Sequence, residues 1–140
     1  MGLAPALDLD GEWTAMAPKT VFLAFAEQDE LFRDLFIAQW ARAGDQAWFL
    51  DSPGNGTCPG EWKKEVRERI RDCDGVIALV GGSTPTSAEA LWQIECAVAV
   101  GKPLLGLWVE NEHRSKPAEM GPARCETWTW ENIGDFIDRI

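Results

Sequence analysis

Between Lys19 and Ile140, short runs of β-branched, aromatic and aliphatic residues alternate with longer stretches whose apolar residues recur at helical spacing. That alternation is the strongest constraint on the fold, because it calls for a parallel sheet with crossover helices on both faces. The clearest run is Gly75 to Val80, which contains no polar side chain and reads as a strand buried on both sides. Lys19 to Phe25, Gln46 to Leu50 and Pro103 to Val109 read as three further strands, and Cys125 to Thr127 as a short edge strand.

The stretches between them carry helix signals. Glu27 to Ala43 carries apolar residues at helical spacing (Leu31, Leu35, Ala38; Phe32, Phe36), opens with acidic residues in its first turn and stops at Gly44, and reads as the first crossover helix. Pro59 to Asp72 places Trp62, Val66 and Ile70 on an inner face opposite a charged one. Ser87 to Val100 presents Ala90, Leu91, Ile94, Ala97 and Val98, closing on Gly101, and Thr129 to Ile140 presents Ile133, Phe136, Ile137 and Ile140. The expected fold class is α/β, a flavodoxin-like, doubly wound, parallel five-stranded sheet with helices on both faces.

A length of 140 residues and 46% hydrophobic content suit one domain, residues 19–140, behind an N-terminal extension, residues 1–18. The formal charge of −10 argues against nucleic acid or an anionic membrane as partner, since both would meet a field of their own sign. The first sixteen residues contain no basic residue and no long apolar run, and a cytoplasmic location is expected. Cys58, Cys73, Cys96 and Cys125 are widely spaced and His113 is the single histidine, so neither a metal nor a disulfide is expected. Cys73 and Cys96 read as small core residues and His113 as a surface residue.

In an open parallel sheet, ligands bind beyond the carboxyl ends of the strands. This rule selects Phe25 to Asp29, Asp51 to Cys58, and Gly81 to Thr86 leading into the Ser87 helix. A phosphorelay receiver would need an aspartate ending the third strand, where this chain has Val80-Gly81. A flavin phosphate would meet Glu27 and Asp29 after the first strand, and like charges repel.

From Phe49-Leu-Asp51-Ser, through Glu61-Trp-Lys63, Arg67 to Cys73 and Val76-Ile-Ala-Leu-Val-Gly-Gly-Ser-Thr84, to Trp92-Gln-Ile-Glu-Cys-Ala97 and Gly101-Lys-Pro-Leu-Leu-Gly106, the chain resembles the TIR-like proteins of bacterial Thoeris anti-phage systems. With Lys19 to Asp29 and Thr127 to Ile140 the resemblance covers roughly residues 19–140. It implies cleavage of NAD at the nicotinamide N-glycosidic bond, giving ADP-ribose or a cyclic signalling nucleotide read by a downstream effector. NAD is then the substrate, no metal is needed, and a homo-oligomer is possible. The glutamate the resemblance implies falls four residues before Ala97 and eight before Gly101, where this chain has Gln93. Glutamine can hydrogen-bond a ribose hydroxyl, but it supplies no charge and accepts no proton. Glu95 is the fallback, although at about 100° per residue it projects some 200° away from Gln93 and cannot serve the same cleft.

Around that position the expected ligand contacts are Phe25 and Ala26 as floor, Asp29, Asp51, Asn55 and Gly56 in the closing loop, Ser83 and Thr84 as donors or helix caps, and Trp92 as a stacking ring. Asp29 also suits the start of its helix, and Phe25 and Trp92 also suit the core. Phe49 to Pro53, Cys73 to Ala78 and Ala97 to Pro103 are similar to nucleoside deoxyribosyltransferases, whose glutamate again falls at Gln93. A non-catalytic interaction domain is the remaining alternative, with Trp13, Trp128 and Trp130 as its contact residues.

Overall fold

The structure, a computed structural model, describes residues 19–43, 47–52 and 59–140, with the side chains of 41–43 excepted. Its elements follow as β1 (Lys19–Ala24), α1 (Glu30–Ala43), β2 (Ala47–Leu50), α2 (Pro59–Asp72), β3 (Gly75–Val80), α3 (Ala88–Ala99), β4 (Leu104–Trp108), β5 (Arg124–Thr127) and α4 (Trp130–Arg139). The five strands are parallel throughout and lie in the order β2-β1-β3-β4-β5. This is the flavodoxin-like order, with its reversal between β1 and β3.

Side-chain alternation along the strands sorts the core into two layers. Phe22, Ala24, Val76, Ala78 and Val80 point to α2 and α3, where Trp62, Val66, Ile70, Ile94 and Ala97 meet them. Val21, Leu23, Ile77, Leu79, Leu105 and Leu107 point the other way, to Phe36 of α1 and to Ile133, Phe136 and Ile137 of α4. All six residues of β3 are buried, as its apolar run requires of a central strand covered on both faces.

Two inner faces differ from their sequence patterns. On α1, Leu31 is 81% exposed, Leu35 is 47% exposed and Ala38 is exposed, whereas Phe36 is fully buried and Phe32 and Trp40 are half-buried. The aromatic series 32, 36, 40 wins the interior because its rings bury more area than the aliphatic series and interlock with neighbouring rings. Phe36 meets Phe49 edge-on at 4.9 Å, and Trp40 meets Phe49 and Trp130 at 5.4 and 5.7 Å. On α3 the inner face is Ala90, Gln93, Ile94, Cys96 and Ala97, while Leu91 is half-buried and Val98 is exposed. The helix is therefore turned so that Gln93, a polar residue, faces inward.

Trp128 and Trp130 belong to the aromatic layer around Phe36 and are half-buried. Trp13 lies outside the described residues. The described tryptophan that projects into solvent is Trp48, 65% exposed on the edge strand β2. Cys73 and Cys96 are buried, as expected of small core residues, and Cys58 lies outside the described residues. Among the described residues no helix is long and apolar enough to cross a membrane.

Candidate active site

The carboxyl ends of β1, β3 and β4 meet at one place, and two glycines make the meeting close. A Cβ on Gly81 would stand 2.7 Å from Val109 Cγ2, 2.9 Å from Glu110 Oε1 and 3.3 Å from Asp29 Oδ2. A Cβ on Gly82 would stand 3.0 Å from the His113 ring. Only residues without side chains let the segment after β4 approach the end of β3 this closely. Glu110 then accepts the Gly82 N–H at 2.7 Å, and the buried Thr84 hydroxyl oxygen accepts the Gly81 N–H at 2.9 Å.

Asp29 ends the 3-10 turn Glu27–Asp29 that joins β1 to α1. It is only 5% exposed, and its Oδ2 is buried with no hydrogen-bond partner. Burial in the first place, and the nearby Glu110 charge in the second, raise its pKa above the ordinary aspartate range. Arg33, in the helix that follows, is engaged by Asp51, Glu30 and Asp34 and lies 5.2 Å over the Phe25 ring.

Gln93 is 3% exposed on the sheet-facing side of α3, in the helix that the β3 loop feeds. Glu95 is exposed, so the two residues part as the helical geometry requires. Glu95 lines a separate cavity of about 300 Å³ between α2 and α3, with Trp62, Lys63, Glu89, Trp92 and Glu119. Trp92 is committed there: its ring is 5.5 Å from that of Trp62, with Lys63 and Arg67 5.3 and 5.6 Å over its face.

The other expected contacts divide in the same way. Ala26 is buried and Phe25 half-buried at the end of β1, where a floor was expected. Asp51 is half-buried, its carboxylate paired with Arg33 and its carbonyl accepting from Arg69. Ser87, rather than Ser83 or Thr84, caps α3, its hydroxyl accepting the Ala90 N–H at 3.1 Å. The Ser83 carbonyl accepts from Thr86, and the Thr84 hydroxyl closes the loop. Asn55 and Gly56 lie outside the described residues.

Glu110 and His113 also border this cleft, and neither is among the site residues expected from the sequence. The rule that selected the other loops also selects the segment after β4, and Glu110 is its second residue. His113 carries no comparable signal, since only the side-chain-free Gly82 brings the backbone against it. Among the described residues no group of three His, Cys, Asp or Glu side chains is placed to hold a metal ion.

No protein-family model and no curated protein matches the sequence. Solved structures are similar in fold. The TIR domain of a Toll-related receptor from Hydra magnipapillata superposes with a TM-score of 0.63 at 12% identity, over 84% of this chain and 97% of that one. A CMP N-glycosidase from Clostridium botulinum gives 0.54 at 22% identity, over 86% and 96%, and a prokaryotic SEFIR domain 0.52 at 11%, over 86% and 94%. At these identities the likeness is one of architecture, and with the observed strand order it makes this chain a TIR-like α/β fold of the flavodoxin type.

Proposed function

We propose that the cleft beyond β1, β3 and β4 binds a nucleotide and acts on its N-glycosidic bond, with NAD as the first substrate to consider and ADP-ribose or a cyclic ADP-ribose-type signal as product. The observation that carries this reading is Gln93: an amide 3% exposed, on the sheet side of a helix whose other inward residues are Ala90, Ile94, Cys96 and Ala97. An amide can donate to and accept from a ribose hydroxyl, so Gln93 offers such a ligand both kinds of hydrogen bond. The CMP N-glycosidase among the similar structures acts on a bond of the same class, which supports the reading.

Cleavage leaves positive charge on the ribose, so a carboxylate at position 93 would stabilise the transition state. Glutamine keeps the hydrogen bond and lacks the charge, so this chain holds its ligand better than it turns it over. A role in anti-phage defence, with an effector that senses the product, extends this proposal. A thermal shift with ADP-ribose tests binding: at a hundred times the dissociation constant, a ligand adds about 2.7 kcal/mol of stability. No shift at millimolar ADP-ribose would contradict it.

A second reading, a TIR-like interaction domain, is favoured by the outer face of α1. Leu31, Leu35 and Ala38 form an exposed stripe at helical spacing, and such a stripe suits contact with another protein.

A further inference from the structure

The least stable chemistry in the cleft belongs to Asp29. A carboxyl group 95% withdrawn from solvent, with an oxygen that has no hydrogen-bond partner, is expensive as an anion and more so beside a second carboxylate. Glu110 is that second carboxylate, held in place by the Gly82 N–H, and both groups crowd the same side of Gly81. The arrangement is met where two carboxyl groups hold one proton between them.

We propose that Asp29 and Glu110 are an acid–base couple sharing one proton, and that they equip the cleft for a further activity: hydrolysis of N-glycosides whose base leaves only when protonated. This rests on the reading of the cleft as an N-glycoside site. The nicotinamide of NAD departs as a neutral molecule and needs no proton, whereas the pyrimidine or purine of an ordinary nucleotide does. In the step, the C1′–N bond breaks and its electron pair goes to the base. The Asp29 proton passes to the base, water bonds to C1′, and the water proton goes to Glu110. Transfer of that proton from Glu110 to Asp29 restores the couple, and the net reaction consumes one water for one base and one sugar.

The charged and titratable groups around Asp29 are few. Glu110 faces it from beyond β4, Glu27 shares its turn, Arg33 lies one helical turn on and is held by other carboxylates, and His113 sits against Gly82. His113→Gln is therefore the control for pH effects.

The test uses carboxyl-carbon NMR titration together with base release from CMP and nicotinamide release from NAD, in the native chain and in Gln93→Glu. The expected result is that Asp29 titrates above the ordinary aspartate range and moves back down in Glu110→Gln. Base release from CMP should fall as pH rises through that titration, drop at least tenfold in Asp29→Asn, and keep its pH profile in His113→Gln. Nicotinamide release should change less in Asp29→Asn. An ordinary Asp29 titration, or one indifferent to Glu110→Gln, overturns the couple; equal losses on both substrates overturn the acid role. If neither form releases either base, the N-glycoside reading fails and the acid role with it, while the carboxyl resonances still decide the couple.

Discussion

Asp29 Oδ2 and Glu110 Oε1 lie 3.3 and 2.9 Å from the one point where Gly81 carries no side chain. Two carboxyl groups from opposite ends of the sequence are thus set against the same glycine, at the carboxyl end of the central strand. The arrangement costs stability, because a buried carboxyl oxygen without a hydrogen-bond partner is expensive beside a second carboxylate.

Asp29→Asn is predicted to stabilise the protein at neutral pH. Because the folded state raises the Asp29 pKa, it binds the proton more tightly than the unfolded chain does, and stability falls as pH rises from the unfolded value through the folded one. Asparagine removes that loss, so urea unfolding should show a larger gain for the variant at pH 7 than at pH 4. A gain of the same size at both pH values would contradict the raised pKa.

Gly81→Ala is predicted to destabilise by about 1–3 kcal/mol, the usual cost of forcing an extra carbon into a filled site. The methyl meets Val109 at 2.7 Å as well as both carboxyl oxygens, so the segment after β4 must move. Denaturant unfolding gives the cost. Gly60→Ala is the comparison, since nothing lies within 4 Å of its Cβ position, and it should leave stability unchanged or raise it slightly.

Two of the hydroxyl contacts around the β3 loop predict a graded series. Ser87→Ala removes the α3 cap and should cost about 1 kcal/mol. Thr84→Val leaves the Gly81 N–H without its buried acceptor and should cost about 1–3 kcal/mol. Ser83→Ala should change stability by under about 0.5 kcal/mol. An equal cost for Ser83→Ala and Ser87→Ala would contradict the assignment of the cap.

On the outer face of α1, Leu31→Glu and Leu35→Glu should leave monomer stability within about 0.5 kcal/mol, since both side chains are already exposed. If that face assembles the protein, the double variant lowers the mass seen by light scattering at high concentration. An unchanged mass would remove the support for an interaction role.

Where pattern and burial share one cause, local sequence specifies the outcome. The run Gly75 to Val80 and the series Trp62, Val66, Ile70 have one apolar arrangement each, and both appear as expected. On α1 two apolar series compete, and only the rings of Phe49 and Trp130, which arrive from elsewhere in the chain, decide for Phe36 and Trp40. The site divides similarly. The strand-end rule reached Asp29 and the Gly81 loop, and helical spacing separated Gln93 from Glu95. The approach of Asp29 and Glu110 to one glycine joins the ends of β1 and β4 and depends on that glycine's missing Cβ, which no local pattern encodes.

The central claim is that Gln93 marks an N-glycosidic site that binds better than it cleaves. Nicotinamide release from NAD, followed chromatographically for the native chain and for Gln93→Glu, tests it most directly. Restoring a positioned carboxylate should raise release by about a hundredfold or more, while the native chain binds ADP-ribose and releases little. No release by Gln93→Glu, together with no ADP-ribose binding by either form, would contradict the account.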